Sequence, residues 1–354
     1  MPTMNGTPSM PNQFMTRATL FVASAALALT ACSSSSAGPA QPVDGSWDDV
    51  VAAANAEGAV TLYSTQAAPR LAALEAAFES RYPAIDLEVV RGVDADLLSK
   101  MDAEGRSGRG IGDVAVITDV TWMDANEDSD AAVDIIGPSF DNSDYDRETS
   151  VVADRFFLEG AVVLGFGWNT DLVPGGIQSA DDFLNPALAG KIGIVSPSTS
   201  PTYLDYYAHL EDHYGGRQFL ESIAALDPRI YPSNQPLGQA LTSGEISVGL
   251  MSDPMLPAKE SGAPVEWFAG EHIWGARWYG LALGSAPHPN AAQVLADFMV
   301  TREGQEATSV GYGAALPGID GSIAVAQDVA DQNPDVTTGD GAAKYRDELE
   351  AVFQ

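Results

Sequence analysis

The sequence predicts an α/β fold made of two successive units, each a mostly parallel sheet with helices on both faces. Three observations carry this expectation. From Trp47 onward, β-branched apolar runs alternate with amphipathic helical stretches. The alternation stops after Asn169 and starts again at Lys191. The chain's 354 residues are enough for two domains, or one large one.

Trp47 to Ala56 reads as a short helix ended by Glu57-Gly58, and Ala59 to Ser64 (AVTLYS) as a buried strand bounded by turn residues. Pro69 to Arg81 is an amphipathic helix with Leu71, Leu74, Ala77 and Phe78 on one face. A strand at Ile85 to Arg91, a helix at Asp94 to Glu104 capped by Asp94 or a neighbour, and a strand at Ile111 to Thr118 complete the first run. The second run has strands at Lys191 to Val195, Ile230-Tyr231 and Ile246 to Met251. Its helices are Thr202 to Tyr214, Gln218 to Leu226 and Pro236 to Ser243. A strand at Tyr279 to Leu283 follows, with helices at Pro289 to Val300, Glu303 to Ser309 and Lys344 to Phe353. No repeat of fixed period is visible.

Composition excludes several functions. With 49 Asp+Glu against 17 Lys+Arg, and no basic cluster, the chain is unsuited to nucleic-acid phosphates or anionic lipid surfaces. One cysteine excludes a disulfide scaffold and Cys-rich zinc or iron–sulfur sites. A hydrophobic content of 45% supports a sizeable core, so the chain is not globally disordered.

Residues 1–31 read as an address, not as fold. Arg17, the only charged residue among them, precedes Leu20 to Leu29 (LFVASAALAL). That run is too short for a bilayer span, which takes about 20 residues, and suits a signal-peptide core. The following Leu29-Thr30-Ala31-Cys32 resembles a bacterial lipobox, which implies cleavage before Cys32 and lipid on that cysteine. An ordinary secretory signal with an unrelated cysteine is the alternative, and Met10 or Met15 are alternative starts. Residues 32–45 read as a flexible Ser- and Gly-rich tether.

Five segments in order resemble one family: Ala59–Thr65 (AVTLYST), Leu74–Pro83 (LEAAFESRYP), Gly112–Val116 (GDVAV), Gly244–Gly249 (GEISVG) and Ala286–Ala291 (APHPNA) with Glu303-Gly304-Gln305. Together the chain resembles an ABC-transporter solute-binding protein, in the branch that holds ferric-iron, thiamine, polyamine and phosphonate binders. The resemblance implies a type II periplasmic-binding-protein fold: two α/β lobes with mixed, mostly parallel sheets and a ligand cleft between them. The expected organisation is residues 1–31 signal peptide, 32–45 tether, 46–166 first lobe, 167–276 second lobe, and 277–354 a return to the first lobe with the C-terminal helices. Crossings are expected near Gly165 to Asn169 and Trp274 to Gly280. The implied role is a monomeric receptor, lipid-anchored outside the cell membrane, that closes on a small solute and delivers it to permease subunits. An exported enzyme and a sensor on the same scaffold are the alternatives.

Candidate contacts follow strand ends. Ser64, Thr65 and Gln66 offer neutral hydrogen-bonding groups, or simply a turn before the next helix. Asp119 pairs with an amine or caps a helix, and Trp122 stacks on solute or packs in the core. Ser196, Ser198 and Thr199 precede a helix start that suits an anion, with Tyr203 one turn in. Asp253, with Asn234, Trp278 and Tyr279, forms an aromatic and acidic pocket suited to an amine-bearing or zwitterionic solute. Ferric iron is the alternative cargo. It is disfavoured because Met251 to Met255 lacks the family's tyrosine pair and Gln66-Ala67-Ala68 lacks a His or Glu. Tyr206 and Tyr207, being adjacent, point about 100° apart. His209 and His213 read as a solvated helix face, and His288 as the cap of the next helix. No cofactor, resident metal or catalytic motif is expected.

Overall fold

The computed structural model describes residues 41–330 and 332–353. The signal peptide, Cys32 and most of the tether lie outside the described residues. Helix α1 (Trp47–Glu57) opens on a capping box, in which Ser46 and Asp49 each accept from the other's backbone N–H, and ends at Gly58 with φ 76°. Strand β1 (Ala59–Ser64), helix α2 (Ala68–Arg81), β2 (Asp86–Arg91), α3 (Asp94–Ser107), β3 (Val114–Ile117) and α4 (Val120–Asn126) follow. Val93 occupies the cap position of α3, and the Asp94 carboxylate accepts from Thr118 N instead. Two short strands, β4 (Ala132–Val133) and β5 (Val151–Val152), with the one-turn helix α5 (Arg147–Ser150), lead into β6 (Phe156–Asn169).

Beyond β6 come β7 (Ile192–Val195), α6 (Pro201–His213), α7 (Arg217–Ala224), β8 (Arg229–Tyr231), α8 (Asn234–Ser243), β9 (Val248–Ser252), α9 (Leu256–Glu260) and β10 (Val265–Phe268). The chain then runs through β11 (Trp274–Leu283), α10 (Pro289–Met299), α11 (Arg302–Thr308), β12 (Gly313–Ala314), β13 (Ala324–Val325), α12 (Pro334–Thr337) and α13 (Gly339–Val352). The main strand order is β2-β1-β3-β11-β6-β9-β7-β8. β1, β2 and β3 are mutually parallel around β1, β7 is parallel to β8 and β9, and β6 and β11 run antiparallel to their neighbours.

Two hydrophobic cores divide this ladder into lobes. The first gathers residues from Val50 to Val163 and from Trp278 to Val329; the second gathers Leu164 to Trp274 with Ala342 and Leu349. The chain therefore changes core inside β6, inside β11 and again between Val329 and Ala342. The closing helix α13, grouped with the first lobe in the sequence reading, packs its Leu349 into the second core, with Phe353 5.6 Å from the Tyr207 ring.

The long strand β6 was not foreseen, because Gly160, Gly165 and Gly167 break its β signature. The glycines answer to neighbouring chain: a Cβ at Gly165 would lie 2.3 Å from the Phe268 carbonyl oxygen, and one at Gly167 2.6 Å from Ser252 Oγ. Two bulges interrupt the ladder. Glu159 is the extra residue opposite Trp278/Tyr279, and Met251 the extra residue opposite Gly165/Phe166.

The histidines differ from expectation. His209 is buried and its Nε2 lies 3.2 Å from the His272 carbonyl oxygen. Its ring stacks 4.3 Å from His213, which stacks 4.6 Å from His272. His288 stands at the start of α10, but its ring pairs with buried Asp113 at 3.0 Å, and Glu57 accepts from Asn290 Nδ2 and Ala291 N instead.

Burial, and secondly the neighbouring His213 charge, lower the His209 pKa from 6.5 to about 4. The fold thus favours neutral His209. That contribution is complete above the unfolded value and is lost as pH falls from 6.5 towards 4. Denaturant titrations across that range should show stability falling by up to roughly 3 kcal/mol for this group, and His209→Gln should flatten that part of the profile.

Candidate functional site

On the first lobe, the C-terminal ends of β1 and β3 carry the predicted contacts. Ser64 is fully buried and closes a turn, its Oγ accepting from Gln66 N at 3.2 Å. The Gln66 side-chain amide turns inward and donates to the Glu159 carboxylate, while the Gln66 backbone carbonyl accepts from Arg91 Nε at 2.7 Å. Thr65 is half-buried, and its Oγ1 is without a hydrogen-bond partner. Asp119 caps α4 by accepting from Trp122 N at 2.9 Å. The Trp122 indole N–H donates to Asp102 at 3.2 Å, which ties its edge to α3.

Behind these loops lies an ion pair with both side chains fully out of solvent. Arg70 Nη2 donates to Glu159 Oε1 at 2.7 Å, and Nη1 donates to the Thr308 carbonyl. The guanidinium also lies 4.8 Å from the Trp278 ring and 5.1 Å from the Tyr312 ring. Burial raises the Glu159 pKa, and Arg70 works against it. The bulge at Glu159 turns its side chain out of the ladder, and Gln305 Nε2 donates to its carbonyl at 2.9 Å. Trp278 is therefore held against Arg70. Tyr279, also buried, lines a small recess with Thr118, Val120 and Arg277.

On the second lobe, three parallel strands end side by side. After β7, Ser196 N donates to the Tyr231 carbonyl at 2.8 Å and Ser196 Oγ accepts from Ser198 N. Ser200, not one of the predicted contacts, caps α6. Ser198 and Thr199 are exposed, and the Ser198 hydroxyl donates to Glu350 of α13. Tyr203 is half-buried, and its hydroxyl accepts from Asn234 N at the start of α8. Burial raises the Tyr203 pKa. Tyr206 and Tyr207 are core residues: the Tyr206 hydroxyl accepts from Met251 N at 3.3 Å, and the Tyr207 hydroxyl donates to Val195 O.

Asp253 follows β9 in a turn flanked by two left-handed methionines, Met251 at φ 62° and Met255 at φ 49°. Bulky residues adopt that region rarely, and such strain concentrates at functional sites. Asp253 Oδ1 accepts from Met255 N at 2.8 Å, and among the described residues no Lys, Arg or His pairs with the carboxylate. Burial raises its pKa. Tyr312, which the sequence reading did not single out, belongs to the first lobe; burial raises its pKa, Arg70 works against that, and the Asp253 charge adds to it. Tyr312, Arg70 and Glu159 carry no motif; only their separate positions in sequence are visible before folding.

The structure brings Tyr203 to Asn234, and Ser196 to Tyr231. It turns Gln66, Trp122, Ser198 and Trp278 towards partners of their own. Among the described residues, no group of three or more His, Cys, Asp or Glu is arranged to hold a metal ion, and no helix is long and apolar enough to cross a membrane.

A two-lobed α/β molecule with such strand-end groups at the seam is built as a binding protein. The chain belongs to the bacterial extracellular solute-binding protein family, whose model matches residues 60–310. No curated protein matches the chain. Among solved structures, iron-bound HitA from Pseudomonas aeruginosa gives a TM-score of 0.62 at 19% identity, over 84% of this chain and 99% of that one. AfuA from Actinobacillus pleuropneumoniae, with fructose-6-phosphate bound, gives 0.57 at 19%, over 84% and 96%. Ferric iron-binding protein A of Mannheimia haemolytica, in an open conformation, gives 0.56 at 17%, over 83% and 97%. At these identities the likeness is one of fold.

Arg70→Met should leave a buried carboxylate unpaired and cost about 3–5 kcal/mol in urea denaturation. Adding Glu159→Leu should recover most of that loss, because the uncompensated charge goes with it.

Proposed function

We propose that the protein is the receptor of an ABC importer, held outside the cell membrane by lipid on Cys32, that delivers a small amine-bearing or zwitterionic organic solute to its permease. Family membership supports the receptor role. One observation carries the choice of solute: among the described residues the half-buried Asp253 carboxylate, which follows β9, accepts from a single backbone N–H and pairs with no Lys, Arg or His. Partial burial disfavours the charged carboxylate, and a solute ammonium relieves that cost on binding. The Tyr203 and Asn234 cluster at the starts of α6 and α8 supplies polar groups for the solute's other end. Lobe closure is the hinge motion that a solute touching both lobes drives.

Ferric iron fits these residues poorly. Iron favours phenolate oxygen, whereas the Tyr203 hydroxyl already accepts a backbone N–H and its pKa is raised. Tyr206 and Tyr207 of the same helix are spent in the core, and burial raises the pKa of Tyr312 as well.

Native mass spectrometry of protein purified gently from an expressing bacterium should show an organic adduct, absent from Asp253→Ala. An iron-sized adduct lost on chelation, with visible tyrosinate absorbance, would overturn the choice of solute.

A further inference from the structure

Tyr312 occupies an unusual position. Gly311 beside it has φ 78°, and a Cβ there would lie 2.6 Å from Leu256 Cδ1 of the second lobe. The loop before β12 is thus pressed against the start of α9, three residues past Asp253. The loop is tied in place by Tyr312 N to Ser309 O at 3.0 Å and by Ile323 N to Tyr312 O at 3.1 Å. From behind, the phenol ring is held 5.1 Å from the Arg70 guanidinium and 5.4 Å from the Trp278 ring. Arg70 is itself fixed by Glu159. The Tyr312 hydroxyl makes no hydrogen bond with the described residues. Asp253 lies on the turn that leads into Leu256, the residue this loop meets, and its charge reaches Tyr312.

We infer that Tyr312 is a specificity-determining residue of the solute site, and that with Asp253 it selects ammonium groups that carry N–H bonds over quaternary ammonium. The inference rests on the receptor reading above. The chemistry is that of two oxygen acceptors on opposite sides of a seam: one carboxylate and one phenol oxygen can share the hydrogens of a single primary or secondary ammonium. A quaternary ammonium has no N–H to give them. It binds instead through aromatic faces. Two of the rings near this seam, Trp278 and Tyr312, are already packed against Arg70, so a second cation over either ring meets a like charge through it. The Trp278 ring is also 95% out of solvent reach, at 5% exposure.

The test compares matched probes by calorimetry on exhaustively dialysed protein: ethanolamine against choline, 1,4-diaminobutane against its bis(trimethylammonium) form, and β-alanine against its N-trimethyl form. At least one N–H-bearing member should bind at least tenfold more tightly than its quaternary partner. Tyr312→Phe keeps the ring against Arg70, so it should leave the melting temperature unchanged and reduce the preference to below threefold. Equal binding of the quaternary partner would overturn the inference, as would a preference undiminished in Tyr312→Phe. Binding by no amine of the panel would also overturn it. In that last case a copurifying solute lost in Asp253→Ala would leave the receptor reading standing while the amine class falls.

Discussion

The buried ion pair between Arg70 and Glu159 is the constraint on which the site depends. Glu159 lies on β6, the strand that begins in the first core and ends in the second, and the pair fastens that strand to α2. Removing two charges from water is expensive, and this pair offsets the expense with several contacts at once. Gln66 donates to the same carboxylate, Thr308 accepts from the same guanidinium, and two aromatic rings flank it. Each of those partners belongs to a different stretch of chain. The end of β1, the strand β11 and the loop carrying Tyr312 are therefore positioned by one ion pair.

That arrangement separates structure from recognition. Groups that look like ligand contacts in isolation, such as the Gln66 amide and the Trp278 ring, are consumed in holding the first lobe to its crossing strand. Among the described residues, the Asp253 carboxylate accepts only from Met255 N, and the Tyr312 and Thr65 hydroxyls make no hydrogen bond. The strained turn from Met251 to Met255 fits the same view, because left-handed bulky residues persist only where surrounding structure holds them.

Much of the architecture was legible in the sequence because local patterns specify it. The run Ala59–Ser64 is β-branched and bounded by turns, and it is the strand expected. The spacing of Leu71, Leu74 and Phe78 marks the buried face of α2. β6 escaped because its glycines answer to distant neighbours, the Phe268 carbonyl and Ser252, which no local pattern reveals. The C-terminal helix was read as a helix, but its packing on the second core depends on a third crossing that no motif marks. At the site, Asp253 and Tyr203 were legible from their places after β9 and in the first turn of α6. Arg70 sits on the apolar side of an amphipathic helix, where its sequence neighbours suggest only core, and its partner lies 89 positions away. Tyr312 becomes visible only when its loop is seen against Leu256.

The measurement that bears most directly on this account is proton release on binding. Calorimetry of the copurifying solute in buffers of different ionisation enthalpy reads it. Burial holds the Asp253 pKa above its usual value in the free protein, and an ammonium beside it would bring that value down. The account predicts that binding releases a proton at acidic pH, that the release fades as pH rises, and that it is absent in Asp253→Asn. Solute binding with the same proton count at every pH, in both proteins, would contradict it.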